Sequence, residues 1–211
     1  MESGNGTGQG RHRARGNEDT VKEFLWIIAG MWIVFMGWLF IPALVRGGPR
    51  PQKISQTYVR RSLLVFAIVM IVFIAAGRED PEIFLVRFLP DTIFTGMAGV
   101  ILTVLGLGFS AYARLHLGRN WSSMVMIKEG HQLIRSGPYS IVRNPMYTGL
   151  LTAYCGLVIA LGILAALAAL TIVITAIWMK IKAEEELLEE QFGGEYNQYR
   201  RDVKALIPGL L

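Results

Sequence analysis

From Met146 to Met179 the chain runs for 34 residues without a single charge. A helix needs only about 20 apolar residues to cross roughly 30 Å of hydrocarbon, so this run is too long for one span without severe tilt. Gly162 divides it, and predicts two helices, Pro145–Ala160 and Ile163–Lys182, folded into a tight hairpin. Three further runs, Phe24–Val45, Ser62–Gly77 and Thr92–Ala113, are also uncharged. Arg60, Arg61 and Arg78 flank the short second run, where they can snorkel toward headgroups. Only helices and closed barrels satisfy the backbone in lipid, and runs this long exclude strands. The expected fold is therefore all-α, a polytopic membrane protein with about five transmembrane helices. Composition agrees: 53% of residues are hydrophobic and 18% charged, against about 45–50% and 25% in a soluble domain.

The basic residues fall mainly in the short connections. Loop 46–61, loop 114–145 and the region from Lys180 onward carry 15 Lys and Arg, and the other side carries 6. The positive-inside rule places those loops and the C-terminus in the cytoplasm and the N-terminus outside. This distribution marks a membrane protein and gives the net charge of +5 no role in nucleic-acid binding. Residues 1–23 read as a flexible tail, 24–91 as the first two transmembrane helices, and 92–211 as the core with three more helices, loop 114–145 and a C-terminal helix.

Apolar helices gain little from burial against each other in lipid, so small residues must let them approach. Gly149 with Ala153, and Gly156 with Ala160, give two such pairs on the fourth helix. The lone Cys155 reads as a packing residue in the same stretch.

Polar residues of distinctive shape gather in 116–147 and 180–202. In the first block Trp121, His131, Tyr139 and Tyr147 offer flat faces, Gly130, Gly137 and Pro138 make turns, and Arg143 and Asn144 supply donors at the mouth of a span whose first turn begins with Pro145. Singly, each ring or charge is an ordinary membrane-interface anchor. Together they form a site suited to an adenine-containing cofactor. In the second block Lys180 and Glu184 stand i, i+4 on one helix face, at the end of a span where a charge is expensive and often functional. Glu189, Glu190 and Glu195 read as a solvated face, while Leu187, Leu188, Phe192, Tyr196 and Tyr199 recur at helical spacing and pin the segment to the bundle.

Five blocks in order, LGRNWS (117–122), GH with LI and SGPY (130–139), VRNPMYTG (142–149), EEELL (184–188) and FGGEYNQYRRDV with ALIP (192–208), resemble the isoprenylcysteine carboxyl methyltransferase family. The resemblance covers about residues 92–208. It implies an integral-membrane transferase using S-adenosylmethionine, with a cytoplasmic cofactor pocket in the C-terminal half and a lipid-like or prenylated acceptor entering from the bilayer. It involves neither a metal nor nucleic acid. Carried over residue by residue, it implies that Met124, His131, Gln132, Leu133, Ile134, Tyr139, Asn144, Pro145, Met146, Tyr147 and Glu184 hold the cofactor. Lys180, Glu184 and Arg143 would do the catalytic work, and Asn120, Trp121 and Lys180 would meet the acceptor. The family's RHP is Arg143-Asn144-Pro145 here, and its substrate-orienting arginine is Lys180.

A carboxylate acceptor is anionic at neutral pH and needs no base, which suits a block whose one candidate base is His131. Two other readings stay open: a phosphatidylethanolamine-type N-methyltransferase, whose amine a cationic Lys180 would repel, and a non-catalytic lipid-binding membrane protein.

Overall fold

The computed structural model describes residues 22–39, 53–54, 64, 82, 85–118, 126–127 and 133–210. Its helices are α1 (Lys22–Leu39), α2 (Ile93–Leu117), α3 (Pro145–Leu161), α4 (Leu164–Phe192) and α5 (Gly194–Asp202), with a 3-10 turn at Gly137–Ser140. A two-residue antiparallel pair, β1 (Lys53–Ile54) and β2 (Met126–Ile127), aligns Lys53 with Ile127. Among the described residues α1, α2 and α4 are long and apolar enough to cross a membrane, and α3 is a shorter apolar helix. The chain is an all-α, multi-pass membrane protein. The second expected span, Ser62–Gly77, falls almost entirely outside the described residues, as do residues 1–21 of the expected tail and the end of the first span beyond Leu39.

Local chemistry explains the helix boundaries. Thr92 caps α2 through its Oγ1, which accepts from the Thr95 amide at 3.3 Å, while the Thr95 hydroxyl accepts from the Thr92 amide at 3.2 Å. Two orphan amide donors at the helix start are thereby satisfied. Pro145 opens α3 in the first turn, where its missing N–H costs nothing. Gly162 ends α3 at φ 62°, a left-handed conformation that a residue with a Cβ resists, and α4 begins two residues later at Leu164. The expected hairpin is in place. Residues 86–89 lace it, with the Phe88 amide on the Gly162 carbonyl at 2.8 Å and the Leu164 amide on the Val86 carbonyl at 3.0 Å.

Two helices run further than expected. α2 continues past Ala113 to Leu117, and α4 continues past Lys182 to Phe192. Its last turns are Ala, Glu, Leu and Gln, strong helix formers with no breaker before Gly193 and Gly194. The acidic segment is therefore the end of a spanning helix, and α5 is the short piece after the glycines.

Close packing centres on α2 against α3. Gly99, Thr103, Gly106 and Ser110 on α2 repeat at helical spacing, and all are buried. Gly149, Ala153, Gly156 and Ala160 on α3 do the same. The two stripes meet backbone to backbone: a Cβ built on Gly106 would lie 2.5 Å from the Gly149 carbonyl oxygen, and one on Gly99 would lie 2.7 Å from that of Gly156. Thr103 donates across the seam to the Ala153 carbonyl at 3.4 Å and within its own helix to Gly99 at 2.8 Å. Helix α1 closes the other side, where Phe35 and Leu39 pack with Leu107 and Ala153, and Trp32 stacks obliquely on Tyr154 at 4.7 Å.

Candidate functional site

The hairpin at Gly162 brings the start of α3 alongside the charged end of α4. Tyr147, in the first turn of α3, donates its hydroxyl to Glu184 Oε1 at 2.8 Å. Lys180 Nζ lies 5.6 Å from the centre of the Tyr147 ring, one helical turn before Glu184. Three residues singled out by sequence thus form one cluster. A phenol at 2.8 Å fixes the carboxylate's orientation, and a cation above the ring's face is attracted by its quadrupole. The cluster therefore offers one oriented anion and one tethered cation.

Arg143 is placed differently from its expected catalytic role. Its Nη2 and Nε reach Glu185 Oε1 at 2.6 and 3.0 Å, and these side chains are 8% and 6% exposed. Its Nη1 donates to the carbonyls of Arg200, at 3.2 Å, and Val203. Four N–H directions of the guanidinium fork are thereby committed to protein partners. Asn144 likewise turns away from the cluster. Its Nδ2 donates to the Ala205 carbonyl at 3.3 Å, and its amide meets the same oxygen at 3.0 Å. The Arg143 amide meets the Lys204 carbonyl at 2.8 Å, and Thr148 Oγ1 donates to Leu206 at 2.8 Å. Residues 203–206 are therefore strapped along the start of α3, with Val142 and Lys204 bridged in parallel.

Pro145 is fully buried, and Met146 packs beside the cluster of Phe35, Leu39, Leu107 and Ala153. Tyr139 is buried as well. Its ring lies 6.3 Å from that of His116 in a stacked arrangement, its hydroxyl donates to Ala113 at 3.4 Å, and its carbonyl accepts from the Tyr199 hydroxyl at 2.5 Å. Burial pushes the Tyr139 phenol above its usual range, and the nearby charge of Glu184 pushes it further. Leu133 and Ile134 are half-buried. Asn120, Trp121, Met124, His131 and Gln132 lie outside the described residues.

Sequence reasoning passed over Glu185 and the strap 203–206. A signal for Glu185 existed: Ile181, Glu185, Leu188 and Phe192 stand at i, i+4, i+7 and i+11 on one stripe of α4, and a carboxylate among apolar residues needs a partner.

Comparison with known proteins finds similar methyltransferases. The phospholipid methyltransferase family profile matches residues 94–195. A rice protein (Oryza sativa subsp. indica) described as a probable protein-S-isoprenylcysteine O-methyltransferase is 25% identical over 187 residues, covering 87% of this chain and 95% of the relative. The protein-S-isoprenylcysteine O-methyltransferase of Schizosaccharomyces pombe is 30% identical over 128 residues, covering 59% of this chain and 53% of the relative. A solved eukaryotic intramembrane Ras methyltransferase, an isoprenylcysteine carboxyl methyltransferase, shares the fold with a TM-score of 0.51 at 23% identity, covering 72% of this chain and 53% of its own.

Proposed function

We propose that this chain, similar to protein-S-isoprenylcysteine O-methyltransferases, is a member of their family and transfers a methyl group from S-adenosylmethionine to the carboxylate of an isoprenylcysteine-type acceptor, with its site on the cytoplasmic side of the membrane. The observation that carries the reading is the Tyr147–Glu184–Lys180 cluster, which joins the start of α3 to the end of α4.

The donor set suits the cofactor. Glu184, oriented by Tyr147, offers a carboxylate to an amino-acid ammonium, and its half-buried position limits competition from water. When bound, the cofactor supplies an electrophilic methyl on a sulfonium sulfur. The chain's own residues then have a positioning task. Lys180 holds the acceptor carboxylate as a point charge and points one oxygen along the line of attack. The acceptor oxygen, already ionised, would take the methyl directly, with Lys180 keeping it aligned. No proton moves, so the site needs no general base, and alignment with exclusion of water supplies the rate.

The description of the matching family profile favours a phospholipid amine as the second acceptor class. An amine must lose a proton before attack, and Lys180 beside it opposes the cation that would bind. Calorimetry on the detergent-solubilised protein tests the premise shared by both acceptors. Binding of S-adenosylhomocysteine is expected, and no binding of either S-adenosylhomocysteine or S-adenosylmethionine would remove the enzyme reading.

A further inference from the structure

Glu184 and Glu185, adjacent on α4, face different neighbours. Glu184 meets Tyr147, whereas Glu185, one residue on, meets Arg143. Arg143 and Tyr147 are themselves four residues apart, one turn along the same chain segment. The start of α3 and the end of α4 are thus joined twice, about one helical turn apart. One joint is the phenol–carboxylate contact of the candidate site, and the other is an ion pair withdrawn from solvent.

We propose that Glu185 and Arg143 are positioning residues, a clasp that sets the register between α3 and α4 and thereby holds Tyr147 against Glu184. The proposal rests on the reading of Glu184 as a cofactor ligand. The clasp is rigid for identifiable reasons. Arg143 approaches one carboxylate oxygen with two N–H groups, and the carbonyls of Arg200 and Val203 take its remaining end. The Tyr196 side chain, 1% exposed, lies close to both partners and helps keep water from them. A planar fork held on three sides has little rotational freedom, unlike a surface pair between two flexible chains. The strap 203–206 is bonded to residues 143, 144 and 148, so the clasp also fixes where the C-terminal segment lies. The part these groups play at the cluster is positional. Their effect passes through the position of Tyr147.

The test uses the full chain in detergent and two readouts. In hydrogen exchange, Glu185→Gln is expected to speed exchange at the Arg143, Asn144 and Thr148 amides by about tenfold or more, with the central turns of α2 still protected. Unchanged exchange at those amides overturns the proposal, whether or not the cofactor reading holds. In calorimetry with S-adenosylhomocysteine, Glu185→Gln and Tyr147→Phe are each expected to weaken binding by about tenfold, and the double variant by little more than either. Additive losses overturn the proposal. The double replacement Arg143→Met with Glu185→Leu removes both buried charges together, so the fold survives where a lone charge would strain it. It is expected to unfold near the wild-type temperature and still bind weakly, and wild-type affinity in that variant would show the clasp to be structural only. A wild-type protein that binds neither S-adenosylhomocysteine nor S-adenosylmethionine would instead overturn the proposed function, and the exchange result would still decide the clasp.

Discussion

Gly106 and Gly108 stand two residues apart on α2, yet alanine should have opposite effects at them. A Cβ on Gly106 would come within 2.5 Å of the Gly149 carbonyl oxygen and 2.9 Å of the Ala153 Cα, and it would meet nothing flexible. Favourable carbon contacts sit near about 3.5–4.0 Å, so α3 would have to retreat by about 1 Å along much of the seam. Overpacking of this kind costs about 1–3 kcal/mol, and the helix gains back about 0.5–1 kcal/mol from replacing glycine. Gly108 has nothing within 4 Å of the added carbon, so only the gain applies there. The two variants should therefore differ by about 1–3 kcal/mol, or about 2–12 °C in unfolding midpoint for a chain of this size. Thermal unfolding in one detergent, read by circular dichroism, measures the gap. Because α3 carries Tyr147 in its first turn, Gly106→Ala should also weaken cofactor binding. Equal midpoints for Gly106→Ala and Gly108→Ala would refute the close-packed seam.

Lys180→Met should leave cofactor affinity almost unchanged while turnover falls by about a hundredfold or more, as when a charged group that stabilises a reacting carboxylate is lost. Lys180→Arg should keep or raise turnover, and full activity in Lys180→Met would remove the carboxylate clamp. Gly162→Ala should lower the unfolding midpoint by a few degrees, because φ 62° costs a residue with a Cβ about 1–2 kcal/mol; an unchanged midpoint would show that the hairpin tolerates another turn. Burial pushes the Tyr199 phenol up to about 12, although the charges of Arg143 and Arg135 oppose it. An unfolded tyrosine ionises near about pH 10, so the native state binds the extra proton between pH 10 and 12 and loses stability as pH rises through that window. A urea midpoint flat across it would contradict that burial.

Features set by local sequence were the ones legible in advance. The division of the 34-residue run at Gly162 and the opening of α3 at Pro145 depend on backbone preferences of single residues, and both appear where expected. Lys180 and Glu184 share a face because i, i+4 spacing guarantees it once the segment is helical. The α2 half of the glycine seam was harder to read, since Gly99 and Gly106 become meaningful only when the facing stripe on α3 is known. Arg143 and Asn144 show a different difficulty. Their partners Arg200, Val203, Lys204 and Ala205 are about 60 residues away, and those partners are backbone carbonyls, which carry no sequence signature. Tyr139 looked like a flat ring for a ligand, but burial against His116 and the Tyr199 contact is a tertiary outcome. The length of α4 was missed because the charges after Lys180 mark the end of the apolar run, whereas helix propensity carries the backbone on to Phe192.

The central claim is that this membrane chain methylates a carboxylate on a prenylated cysteine. It is tested most directly by supplying the purified protein, in parallel, with methyl-labelled S-adenosylmethionine plus farnesylcysteine and with the same donor plus extracted total lipid. The account predicts label on farnesylcysteine in a form released as methanol by mild base, the signature of a methyl ester. Label that appears instead on a lipid amine, stable to base, with none on farnesylcysteine, would contradict it.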